Sequence, residues 1–366
     1  MRKMLVVAAL ATISTAQAFD YKFNLEGRAD FISSEAKTSA TGVAATEADT
    51  NSFVSNLIRL NMMGNINETL SYRMRYRFNT EGTTTARDSS TTALDYLYVD
   101  HKMTFVTFRF GKTNWAEAYG RESFISSTDL FLATDAYRAY NANIGNYRFS
   151  ASATSTFMDT HKVTVAVSNP NTAVTDSATG GSKNTSLAYA IHYSSVMFDK
   201  MFQPTLSYTL AHQDGDAGRK AYNNTMWAAG FRTEVANFII DADYKQFDKA
   251  YDNAAAATTT TYNQTALGSG TYSQLNGKTS SIFANIAYSM DMLSPFVQYS
   301  HDSFDAQSNT TTNNDRNTYV AGVMYKPYTD INFRYHLAYG ISKQEFDVGG
   351  AEFKDNRIIF GIKADI

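Results

Sequence analysis

The chain has 366 residues, with 32 Lys and Arg against 35 Asp and Glu, a formal charge of −3, no cysteine, four prolines, 24 Tyr and 24 Phe. The mildly acidic balance argues against general nucleic-acid binding, and without cysteine an exported chain must be held by hydrogen bonds and burial instead of disulfides. A mean hydropathy of −0.33 and only 18% charged residues, with so many aromatics, fit a series of half-exposed strands and exclude a solvated tail.

The first residues read as a secretory signal. Arg2 and Lys3 form a basic start, Met4 to Ile13 an apolar run, and Ala16-Gln17-Ala18 a small-residue cleavage site. Residues 1–18 are therefore expected to be removed, and the mature chain to begin at Phe19 as one domain running to residue 366. No later run of about 18 apolar residues offers a helical membrane span.

From Phe19 the residues alternate. Phe19, Tyr21, Phe23, Leu25, Ala29 and Phe31 share one face, and Asp20, Lys22, Asn24, Glu26, Arg28 and Asp30 the other. Ser33 to Asn51 reads as a Ser/Thr/Ala-rich loop. The second strand, about Phe53 to Ile66, turns Arg59 and Asn61 to the polar face. After a short turn at Asn67-Glu68-Thr69 comes Leu70 to Asn79. There Leu70, Tyr72, Met74, Tyr76 and Phe78 oppose Ser71, Arg73, Arg75, Arg77 and Asn79. Three arginines in a row behind so aromatic a face suit a wall with lipid on one side and water on the other.

The rhythm repeats to the end. Tight turns are expected at Asp100–Lys102, Met158–Thr160, Phe198–Lys200, Thr233–Val235, Met290–Met292 and Pro327–Asp330. Long loops are expected at Glu81–Thr91, Asn114–Asn143, Asn169–Asn184, Gln213–Asn223, Asp248–Lys278, Ser303–Arg316 and Ser342–Lys354. Alternation is equally clear at Thr205/Ser207/Thr209, at Asp241/Asp243/Lys245 and at Asn332/Arg334/His336. Pro204 and Pro295 fall near strand starts, where a missing donor does least harm. Tyr137 to Asn141 belongs to the third loop, because a strand there would make the count odd. The pattern predicts an all-β transmembrane antiparallel barrel of about sixteen strands, with short periplasmic turns and long external loops. A barrel of that size encloses water.

The signal, the strand opening at Phe19, and Phe105 to Thr113 (FVTFRFGKT) followed by a long acidic-aromatic loop make the chain resemble the Gram-negative general porins. The resemblance spans the mature chain as architecture. It implies a third loop folded into the barrel, Asn114 to Asn143, carrying Trp115, Glu117, Tyr119, Glu122 and Asp129. It implies a basic ladder facing the loop acids: Arg59, Arg73, Arg75, Arg77, Arg109 and Arg148 against Glu117, Glu122 and Asp129. It also implies a homotrimer in the outer membrane, built by the barrel-assembly machinery and in contact with its lipid. The function implied is passive diffusion of ions and small hydrophilic solutes, with no cofactor and no catalysis. An apolar stripe of Phe19, Phe23, Tyr319, Val323, Phe333, Leu337 and Phe360 could face lipid or a neighbour.

The six histidines show no metal-ligand spacing, and no nucleophile or nucleotide motif is present. Two other readings remain open. The arginine row could bind anions such as phosphate, or the barrel could mount an adhesin or receptor loop at Asp248–Lys278.

Overall fold

The computed structural model describes residues 20–40, 43–78, 93–114, 120–125, 129–143, 147–169, 174–175, 182–183, 187–213, 222–249, 259–261, 271–273, 277–306, 313–347 and 350–366. The expected signal segment, Phe19, the loop at residues 81–91, and Trp115, Glu117 and Tyr119 lie outside them.

Sixteen antiparallel strands close into one barrel. They are β1 (Asp20–Ala40), β2 (Val43–Asn65), β3 (Leu70–Arg77), β4 (Ala93–Lys102), β5 (Val106–Asn114), β6 (Tyr147–Phe157), β7 (His161–Ser168) and β8 (Ala188–Ser195). The second half comprises β9 (Gln203–Gln213), β10 (Tyr222–Val235), β11 (Phe238–Lys249), β12 (Gly277–Tyr288), β13 (Leu293–Ala306), β14 (Asn314–Tyr325), β15 (Asn332–Phe346) and β16 (Glu352–Asp365). Closure is by β1 and β16, paired from Glu26↔Asp365 to Ser39↔Glu352. Leu25 and Ile366 finish the seam with backbone bonds of 2.7 and 2.9 Å. No helix among the described residues is long and apolar enough to cross a membrane; the strands do the crossing. A closed sheet satisfies every ladder group, which hydrocarbon demands.

The alternation survives in the exposures. Leu206 and Tyr208 point outward at 53% and 45% exposure, while Thr205, Ser207 and Thr209 on the same strand are buried inward. The same division holds on β11 and β15. Outward row Phe31–Phe360–Leu337–Val323 is in register across β1, β16, β15 and β14.

Several boundaries differ from expectation. Ser33–Asn51 is strand and not loop: β1 runs to Ala40 and β2 starts at Val43. Weak β-formers are held there because β1 pairs with a strand on each edge. For the same reason β15 and β16 extend through much of Ser342–Lys354. The turn expected at Asp100–Lys102 falls after Lys102, and Thr233–Val235 ends β10. Its turn is Ala236-Asn237, both with positive φ (45° and 68°), the left-handed pair that matches strand twist. Tyr137–Asn141 lies in a helix, α1 (Asp135–Asn143), inside the third loop.

Gly361 faces inward where a side chain has no room. A Cβ there would overlap the Asp30 carboxylate and the Ala29 carbonyl, and would meet His336 Nε2 at 2.7 Å. Gly361→Val should destabilise the barrel by about 2 kcal/mol or more through the displaced Asp30–His336 contact. A lower temperature for loss of the compact band on gels checks this; an unchanged temperature would refute it.

Candidate functional site

The third loop folds into the lumen and is fastened at three places. The first is its short 3-10 turn, Arg121–Phe124. The inward row Asp241, Asp243 and Lys245 on β11 receives it. Arg121 Nε donates to Asp241 Oδ1 at 2.7 Å, and the Glu122 backbone N–H donates to Asp243 Oδ2 at 2.8 Å. The Glu122 carboxylate takes the Lys245 ammonium, the Thr134 N–H at 3.1 Å and the Thr134 hydroxyl at 2.6 Å. Buried charges persist only when paired and hydrogen-bonded in this way.

The second fastening is Asp129 to Phe131. Arg334, Lys363 and Arg28 are direct cross-strand neighbours, and like charges so placed repel. Asp129 answers two of them, bonding Arg334 and, at 3.1 Å, Lys363. Asp30 answers Arg28 at 2.8 Å. Arg28 also donates to the Leu130 carbonyl at 3.0 Å and lies 4.4 Å over the Phe131 ring. Phe131 stacks on Phe296 at 4.9 Å and joins an apolar patch of Ile32, Leu132, Phe283, Val320 and Ile359. This patch lies on the inner wall, where alternation alone predicts polarity.

The third is α1. Ala136, Ala139 and Tyr140 pack on Ala188, Ala211, Met226 and Phe247. At its start, Asp135 holds Arg316 at 2.7 Å, while Arg316 also holds Asp302 at 3.0 Å. Burial pushes the Asp135 carboxyl up to about 6, against the pull of Arg316.

The arginine row lies on β2 and β3, which follow β1 around the barrel. Arg59 and Arg77 are cross-strand partners, and Arg75 lies one inward position from Arg77. All three converge on one carboxylate, Asp95 Oδ2, at 3.5 Å from Arg59, 3.2 Å from Arg75 and 3.2 Å from Arg77. Arg59 has Glu26 at 3.6 Å as well. Arg73 donates to Asn61 Oδ1 at 3.0 Å, and the guanidiniums of Arg73 and Arg75 lie over the Tyr96 ring at 4.8 and 3.9 Å. Arg109 is bidentate on Asp100 at 2.7 and 2.8 Å. Arg148, buried, donates to the Asn169 carbonyl.

The pairing therefore differs from the expected ladder. Glu122 and Asp129 are on the inward-folded loop but bond Lys245, Arg334 and Lys363, and the arginine row is answered from the wall by Asp95. Sequence reasoning named none of Asp95, Arg28, Lys245, Arg316, Arg334 and Lys363 as a site residue, although alternation places Arg28, Lys245, Arg334 and Lys363 on inward faces. Asp95 was concealed by a β-bulge: Arg75 pairs Tyr96 while Tyr76 pairs Leu94, leaving Asp95 as the extra residue. A bulge re-aims a side chain, here into the lumen.

Among curated protein sequences, none matches the chain. Solved structures do. The anion-selective porin from Comamonas acidovorans superposes with a TM-score of 0.64 at 11% identity, covering 95% of this chain and 100% of that one. The outer membrane channel DcaP of Acinetobacter baumannii gives 0.64 at 15% identity, with 95% and 97% covered. OmpT, an outer membrane protein of Vibrio cholerae in trimer form, gives 0.62 at 13%, with 96% and 100% covered. At such identities the likeness speaks for the fold. The family is decided by a family model for Gram-negative porins, which matches residues 4–340. The chain belongs to the Gram-negative porin family. This porin is an outer-membrane channel for passive diffusion, with its third loop folded against the inner wall.

Phe131 is the loop's aromatic anchor. Phe131→Ala should weaken docking of the loop by about 3 kcal/mol and raise both mean conductance and current noise of single channels. Unchanged conductance and noise would show that the loop is held without it.

Proposed function

We propose that the porin passes ions and small hydrophilic solutes, and that the wall of Arg59, Arg73, Arg75 and Arg77 sets its charge selectivity. The observation that supports this is the charge count on β2–β4. Arg59, Arg75 and Arg77 gather on Asp95, Arg59 also meets Glu26 of the neighbouring β1, and Arg73 bonds the neutral Asn61. Guanidiniums keep their charge at any physiological pH, so among the described residues the four arginines outnumber the Asp95 and Glu26 carboxylates beside them. Arg148 on β6 and Arg109 on β5, the latter paired with Asp100, continue the row, and Glu122 and Asp129 hold the loop to the wall. Such a field orients polar solutes and discriminates by sign. That excess of arginines favours anions over cations, in keeping with one structurally similar protein being an anion-selective porin. No catalytic step is proposed. Replacing Arg75 and Arg77 together with Ala should shift the zero-current potential in a planar bilayer toward cations, by about twofold in permeability ratio. An unchanged ratio would remove the row from the constriction.

We further propose that residues 1–18 are a cleaved signal, that residues 19–366 form the single barrel domain inserted by the barrel-assembly machinery, and that three copies associate. The outward row Phe31–Phe360–Leu337–Val323, flanked by Phe23, Tyr319 and Phe333, offers an apolar face, and the similar OmpT was found in a trimer form. Unheated protein should run near three times the chain mass and lose that band on Leu337→Lys with Phe360→Lys. A parent that runs as a single chain would refute the assembly.

A further inference from the structure

We infer that Asp95 is a resident counter-anion that limits the anion preference conferred by the arginine row. The inference rests on the reading that the arginine row lines the lumen.

The geometry is unusual in its convergence. One oxygen, Asp95 Oδ2, is the common point of Arg59 Nε, Arg75 Nε and Arg77 Nη2, all within 3.5 Å. Arg75 and Arg77 donate to this one oxygen and Arg59 lies beside them, the environment a carboxylate, sulfate or phosphate oxygen would occupy. The protein supplies that oxygen itself. Asp95 reaches the spot because it is the extra residue of the bulge between β3 and β4. Without the bulge, alternation would turn either Asp95 or Tyr96 outward. With it, Asp95 is 1% exposed, and Tyr96 beside it carries Arg75 on its ring at 3.9 Å. The two neighbours thus hold the same arginine, one by charge and one by its π-face.

Two consequences follow. Asp95 cancels part of the row's charge where the guanidiniums are densest, so passing anions meet a lowered attraction. It also occupies the point at which a multivalent oxyanion would bind, so such anions pass without lodging. Glu26 serves as the internal comparison. It carries the same charge on the same wall, and its contact with Arg59, at 3.6 Å, is longer than those Asp95 makes with Arg75 and Arg77.

The experiment measures zero-current potential in a KCl gradient, and block of current by added sulfate, for the full-length porin in planar bilayers. Asp95→Asn should raise the chloride-over-potassium permeability ratio about threefold and make the channel sensitive to sulfate block. Glu26→Gln should move the ratio less and leave sulfate block unchanged, and Asp95→Glu should stay close to the parent. Equal effects of Asp95→Asn and Glu26→Gln, or no effect of the former, would overturn the inference. If Asp95→Asn alone yields no inserted channels, Asp95→Asn with Arg77→Gln restores the charge balance. That double variant should be more anion-permeable than Arg77→Gln alone, and equal or lower permeability would overturn the inference. Failure of the underlying reading is separately visible, because Arg77→Gln alone would then leave selectivity unchanged.

Discussion

A strand in hydrocarbon cannot leave its backbone polar groups unpaired, and that constraint governs the whole molecule. It makes β1 and β16 meet over fourteen register pairs and carries the seam to Leu25 and Ile366. Once the sheet is closed, every strand has a lipid face and a lumen face, and the side chains divide by position. Closure also explains why the polar ends of β1, β2, β15 and β16 stay extended. Their side chains have little strand preference, but neighbouring strands satisfy both edges of β1 and β16.

A closed barrel of this size creates a second problem, the filling of its interior. The third loop fills part of it, and the wall beneath the loop is adapted to it. An apolar patch around Phe283, Phe296 and Ile359 accepts Phe131, and Ala188, Ala211 and Met226 accept α1. The charged staples Glu122–Lys245 and Asp129–Arg334 lie beside these patches and exclude alternative placements. Buried ion pairs contribute little net stability but penalise any arrangement that breaks them. They fix where the loop sits, while the apolar contacts supply the free energy that keeps it there.

The electrostatics of the two sides differ in consequence. On the loop side, β14, β15, β16 and β1 carry Arg316, Arg334, Lys363 and Arg28, and each is matched by a carboxylate or a loop carbonyl. On the adjoining strands, β2 and β3 concentrate guanidiniums around Asp95. The first arrangement holds the loop against the wall, and the second gathers three guanidiniums around one wall carboxylate.

The sequence by itself determined the barrel, the direction each strand side faces, the approximate strand count and the inward position of the arginines, because alternation is a relation between residues two apart. The entry of Glu122 and Asp129 into the lumen came from the family resemblance. Their partners were decided only in the tertiary structure: Glu122 meets Lys245 at a separation of 123 residues, and Asp129 meets Arg334 and Lys363 at 205 and 234. Register around a closed sheet sets those meetings, and no local pattern encodes it. Asp95 is the sharpest case. One unpaired residue in the β3–β4 ladder changes the face on which it points, so the carboxylate at the centre of the arginine row becomes visible only when the two strands are laid side by side.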